Sequence, residues 1–128
     1  MIYKYAHWED VPRTFNAWPF KYFQPVEIAC RADNSLVIDH DAVARLDMLR
    51  SRLGKPVRLT SAYRSPYHNA AVGGAPRSQH VGGKAFDIAL EAHDKDTLHR
   101  IAVDVGFTGF GLHYNTFIHV DTGPARQW

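Results

Sequence analysis

The chain holds a single cysteine, Cys30, so no disulfide can form within it, and its stability must come from packing, hydrogen bonding or a bound metal. An excess of charge of either sign is also missing. Fifteen Lys and Arg against thirteen Asp and Glu leave a formal net charge of +2, too small a surplus for a nucleic-acid binder that works through a basic stripe, and no nucleic-acid motif is present. Arg45, Arg50, Arg52, Lys55 and Arg58 do gather around one segment, where they read as a solvated helix face that could also favour anionic polymers. No run approaches the ~20 apolar residues of a membrane span. Residues 1–10 lack the apolar stretch of a signal peptide, so the expectation is that export, if any, uses a non-Sec route. No internal repeat or low-complexity tract is visible, which excludes solenoids and arrays.

What is present is globular. An apolar share of 45% with 22% charged residues excludes disorder, and the length suits one domain over residues 1–128, with no room for two. Residues 1–22 carry Trp8, Phe15, Trp18, Phe20 and Tyr22 broken by Pro12 and Pro19, and read as an irregular aromatic arm packed on the domain, with a short helix between Val11 and Ala17. A helix capped by Asp39 or Asp41 runs to Leu53, because Val43, Leu46, Leu49 and Leu53 keep helical spacing and Gly54 supplies the stop. Val57 to Ala62 reads as a strand ending beside Arg64, and Pro66 opens a turn or short helix. Glycine, proline and serine from Gly73 to Gly83 predict a long loop. A strand over Ala85 to Leu90, a helix capped by Asp94 or Asp96 reaching about Val105, and a hairpin of Gly109 to His113 with Phe117 to Asp121 complete the order. The class is α+β, a small mostly antiparallel sheet with helices packed on one side.

Alternation in two of these strands carries the chemistry. A period of two puts Ala85, Asp87 and Ala89 on one face with Phe86, Ile88 and Leu90 on the other, and it likewise puts His119 and Asp121 opposite Ile118 and Val120. Gly82-Gly83 permits a reversal that swings His80, seven residues before Asp87, back toward that strand. Two imidazoles and one carboxylate make an N2O ligand set for zinc that leaves the fourth tetrahedral position open. Hydrogen-bonded structural residues at strand ends would show the same spacing. His7, His40, His68, His93 and His99 have no partner at ligand spacing and read as structural or solvated.

Ser61-Ala62-Tyr63-Arg64-Ser65, then Gly73-Gly74, then Ser78-Gln79-His80 with Gly83, Ala85, Asp87 and Ile88, and last Phe117-Ile118-His119-Val120-Asp121 occur in one order. Together they resemble the zinc D-alanyl-D-alanine carboxypeptidase-like peptidases, which group with lysostaphin-type enzymes and the hedgehog domain. The resemblance covers about Phe23 to Gly123, and Phe23 to Arg31 is similar to the opening of the compact phage and bacterial branch. It implies one zinc ion on His80, Asp87 and His119, Arg64 facing the substrate and the developing oxyanion, and Ser78 near the substrate backbone. It also implies a peptidoglycan peptidase, a D,D-carboxypeptidase or an endopeptidase of endolysin type, acting as a monomer on stem peptides.

The chain departs from the resemblance at the general base. Relatives often carry an acid three residues before the last histidine or a histidine two before it; here Thr116 and Phe117 stand there. Asp121, on the strand face of His119, and His113, just before the hairpin turn, are the replacements, with Tyr114 as a phenolic donor to substrate. A carboxypeptidase would also need a clamp for the terminal carboxylate, and Arg64 or Arg77 are the available cations. The missing acid opens a second reading, a zinc-stabilised wall-binding module or phage-like structural component without catalysis.

Overall fold

A computed structural model describes residues 1–128 and builds them into two sheets and four helices, an α+β arrangement. Strand β1 (Ile2–Tyr5) pairs antiparallel with β2 (Leu36–Asp39). The larger sheet runs β3-β4-β6-β5-β7, from β3 (Leu59–Ser61), β4 (Ala85–Ala89), β5 (Gly109–Gly111), β6 (Phe117–Asp121) and β7 (Arg126–Gln127). Its pairs are antiparallel except β5 with β7, which is parallel.

The helices follow their caps. Helix α1 (Pro25–Ile28) is one short turn; α2 (His40–Leu53) begins where Asp39 Oδ1 accepts from the Ala42 N–H at 3.1 Å and ends at Gly54 in the left-handed region. Helix α3 (Pro66–Ala71) is capped by the Ser65 side chain, and α4 (Lys95–Asp104) by Asp94, whose carboxylate accepts from the Thr97 N–H at 2.9 Å. Leu46 and Leu49 of α2 and Leu98 and Ala102 of α4 are wholly buried with Phe86, Ile88, Ile118 and Val120 of the sheet in one apolar cluster. Burial of each such large side chain stabilises the fold by about 1.5–3 kcal/mol, so this cluster holds the backing of β4 and β6 rigid.

Three expectations change. No helix spans Val11 to Ala17: the segment makes a single turn, in which Trp18 N–H donates to Thr14 O at 2.9 Å, and a short 3-10 turn covers Trp8–Asp10 instead. A stretch bracketed by Pro12 and Pro19 is too short to offset helix nucleation. The first residues of the arm are not irregular, since Ile2–Tyr5 finds backbone partners on β2. The strands next to the site are shorter than their patterns, because β3 carries a register shift between Leu59 and Ser61 and β5 stops at Gly111.

Candidate metal centre and cleft

Register places the site. Asp87 of β4 lies directly opposite His119 of β6, Ser61 of β3 opposite Asp87, and Gly111 of β5 opposite His119, so one row across four strands reads Ser61, Asp87, His119, Gly111. The adjacent row holds Ala85, Asp121 and Gly109. Glycine on β5 in both rows leaves the side chains of β6 unobstructed; a β-carbon at Gly109 would collide with the Asp121 carboxylate.

His80 arrives from the loop before β4. Gly83, at φ +73, reverses the chain so closely that a β-carbon there would lie 2.6 Å from Val37 O. The Arg64 N–H and the Gly83 N–H both donate to His80 O, at 3.1 and 3.2 Å, which pins the turn to the end of β3. His80, Asp87 and His119 are then all buried, with one ligand atom from each within 4.8 Å of the others. His80 Nε2 lies 3.2 Å from Asp87 Oδ1, and His119 Nδ1 lies 3.0 Å from the same oxygen.

The outer hydrogen bonds set the protons. His80 Nδ1 faces Ala62 O at 2.7 Å, and a carbonyl can only accept, so Nδ1 carries hydrogen and Nε2 presents a lone pair. His119 Nε2 faces Asp121 Oδ2 at 2.6 Å, and by the same logic Nδ1 presents a lone pair. Two imidazole lone pairs therefore converge on a carboxylate oxygen, a contact that is repulsive unless each ring takes a second proton or one cation sits among all three. Ligands about 2.0–2.1 Å from a tetrahedral zinc lie about 3.3–3.4 Å apart, close to the two histidine–carboxylate spacings, and the third separation lies within 4.8 Å. The residues present fit zinc.

Electrostatics follow the same contacts. In the metal-free protein burial pushes the Asp87 carboxyl up, but hydrogen bonds from His119 and His80 once each ring takes its second proton, with the charge that proton brings, outweigh it and hold it down to about 2. Burial pushes the His119 imidazole down, yet its contacts with Asp121 and Asp87 prevail and raise it. Asp121, wholly buried, is also pushed up by burial and then held below the usual carboxylate range by His119, Arg126 and the Gly123 N–H.

The centre opens into a cleft of about 530 Å³. Arg64 lines it, with Nε on Ser61 Oγ at 3.0 Å, Nη1 on Asn69 Oδ1 at 3.4 Å and Nη2 on Asp87 Oδ2 at 3.4 Å. Ser78 and Tyr114 also line it. Asp121 does not; its carboxylate lies on the Nε2 side of His119, with Nδ1 turned to Asp87. His113 is exposed, packs against Tyr114 at a tilt and is not brought to the cleft, nor is Arg77. Thr116 is exposed as well, while Phe117 forms part of the wall.

Several residues around the site escaped the sequence. Asn69 is buried and joins Arg64 to the loop, donating from Nδ2 to Ala75 O at 2.8 Å; as a lone amide in a short helix it carried no spacing signal. Arg126 grips Asp121 through both terminal nitrogens, at 3.2 and 3.1 Å, and Trp128 lies with its ring 5.0 Å from that of His119. Only pairing of β7 with β5 brings these two to the site.

A model of the peptidase M15 family matches residues 21–121. The chain is 35% identical over 106 residues to the peptidoglycan L,D-endopeptidase MepK of Escherichia coli (strain K12), a match covering 77% of this chain and 58% of that protein. It is 33% identical over 90 residues to the zinc D-Ala-D-Ala carboxypeptidase of Streptomyces albus G, covering 66% of this chain and 35% of that protein. The chain thus spans less than two thirds of the length of either relative.

Proposed function

Because the chain belongs to the peptidase M15 family, we propose that it hydrolyses peptide bonds of peptidoglycan with one zinc ion held by His80, Asp87 and His119, and that it cuts within peptides and not at a free carboxyl end. The observation that carries the metal is the convergence of two imidazole lone pairs on Asp87. When bound at such a site, zinc supplies an acidified water and polarises a carbonyl. One chain carries the whole ligand set, so a monomer suffices.

The protein's own groups divide the remaining work. Arg64, steadied by Ser61 and Asn69, aims a fixed positive charge at the carbonyl oxygen on which charge develops. Ser78, Gln79 and the backbone of Gly73 to Ala75 offer polar partners along the cleft for an extended peptide. Asp121 holds the tautomer of His119 from behind. The endo preference rests on the second cation: with Arg64 assigned to the carbonyl oxygen, the other guanidinium that lines the cleft, Arg126, is held by the buried Asp121, so no further cation is left to clamp a terminal carboxylate.

One observation favours a second reading, a wall-binding module without catalysis: Asp87 is the only acidic side chain that lines the cleft. Incubating the purified protein with murein sacculi, with and without a chelator, separates the two. Chelator-sensitive release of peptide fragments supports the peptidase, and release of free D-alanine alone would replace the endo reading by a carboxypeptidase. Tight sacculus binding with no fragments supports the module.

A further inference from the structure

Arg64 follows β3 at one edge of the five-stranded sheet, and the opposite edge, β7, delivers a different kind of donor to the same cleft. The indole Nε1 of Trp128 donates to Tyr114 Oη at 3.0 Å. An indole N–H has no acceptor capacity, so the phenolic oxygen accepts there and its own single proton must point elsewhere. The phenol makes no other hydrogen bond within the protein, and Tyr114 lines the cleft beside His80, Asp87 and His119.

Neither ring is free to turn away. Tyr114 is held between His113 and Phe117, with ring centroids 4.1 and 4.2 Å away, and Lys95 Nζ donates to its carbonyl at 3.0 Å. Trp128 is tied to β5 by its N–H on Phe110 O at 2.9 Å and by its main-chain oxygen, which accepts from the Leu112 N–H at 2.6 Å, and the Arg126 guanidinium lies 4.6 Å from its ring. Gly111 makes the meeting point. A β-carbon there would come within 2.8 Å of Tyr114 Cε2, 3.0 Å of His119 Cβ and 3.0 Å of Trp128 Cε2. Cε2 neighbours the carbon that bears the hydroxyl, so the hydroxyl-bearing edge of Tyr114 and the β-carbon of His119 flank the same glycine.

The geometry points to Tyr114 as a preorganised hydrogen-bond donor to the carbonyl under attack, with Trp128 as the positioning residue that directs the phenolic proton into the cleft. This deepens the peptidase reading and rests on it. Arg64 and Tyr114 would approach the developing oxyanion from opposite sides, one as a charge and one as a neutral donor that needs no reorientation during reaction.

The test is a double-mutant cycle of Tyr114→Phe and Trp128→Phe in zinc-loaded protein, read by kcat and KM on soluble peptidoglycan peptides and by calorimetric binding of a dipeptide phosphinate, a tetrahedral-anion mimic. Tyr114→Phe is expected to lower kcat by about 10²-fold, with KM changed by less than about threefold and zinc content retained. Trp128→Phe keeps an aromatic ring but removes the N–H; it is expected to lower kcat about tenfold alone and to cost nothing further in the Tyr114→Phe background. An equal loss from Trp128→Phe in both backgrounds overturns the positioning role, and an unchanged kcat in Tyr114→Phe overturns the donor. A wild-type protein that releases no fragments defeats the peptidase reading itself, and the phosphinate then decides the donor separately. Binding at least tenfold tighter to wild type than to Tyr114→Phe supports it, and equal or absent binding in both overturns it.

Discussion

Replacing Asp121 by asparagine changes one oxygen into an NH2 at a wholly buried position, and the structure dictates what that does. The wild-type carboxylate can only accept. It takes the proton of His119 Nε2 at 2.6 Å, the Gly123 N–H at 2.9 Å and the Arg126 guanidinium at 3.2 and 3.1 Å. An asparagine that turns its NH2 toward Nε2 selects the other tautomer of His119 and puts hydrogen on Nδ1, the ligand nitrogen. One that turns its oxygen toward Nε2 sets its NH2 against the N–H groups of Arg126 and Gly123. Either orientation loses a buried contact. Loss of such an outer partner weakens metal binding by roughly 10–100-fold, about 1.4–2.7 kcal/mol, and the stabilisation conferred by a given excess of zinc falls by the same amount. Competition against a chromophoric chelator at neutral pH measures the affinity, and melting with and without zinc measures the stability. If Asp121 were instead the general base, Asp121→Asn would abolish turnover and leave zinc affinity intact. An affinity within about twofold of wild type would therefore refute the tautomer assignment.

Metal-free protein should show a pH optimum of stability on the acid side of neutrality. Asp87 is depressed to about 2 from 3.8, so its contribution, about 2 kcal/mol, is present above pH 3.8 and is lost as pH falls toward 2. His119 is raised from 6.5, so its contribution is complete below 6.5 and is lost as pH rises through the folded value. Denaturant titrations at pH 3, 5.5 and 8 are expected to rank the metal-free protein highest at about 5.5, and the gain from added zinc to grow with pH because ligation needs neutral imidazoles; greater metal-free stability at pH 8 would contradict this. Arg64→Ala should lower kcat by roughly 10²–10³-fold with zinc content unchanged, and Arg64→Lys should recover only part of it, since an ammonium cannot fork onto two oxygens. Gly83→Ala forces a side chain into the left-handed region and against Val37 O, and should cost at least about 1–2 kcal/mol, seen as a lower melting temperature.

The site was legible to unequal depth along the chain. Asp87 and His119 sit in strands whose alternation is unambiguous, with an apolar face on the other side, so their common orientation could be read without coordinates. The α2 and α4 boundaries were readable for a similar reason, because Asp39, Gly54 and Asp94 act on their immediate neighbours. His80 was readable as far as the glycine turn that returns it. The β1–β2 pair was not, since Ile2–Tyr5 is mostly exposed and owes its form to backbone partners more than thirty residues away.

Residue order alone determined the α+β class and the donor types His80, Asp87 and His119, because local backbone preference and side-chain periodicity act over a few residues and need no distant partner. Which nitrogen of each imidazole faces the centre, that Asp121 stands behind His119 and not in the cleft, and that Arg126 and Trp128 complete the wall were decided only by the tertiary structure. These depend on strand register and on a parallel pairing of β5 with β7 between segments far enough apart that no local pattern encodes their contact.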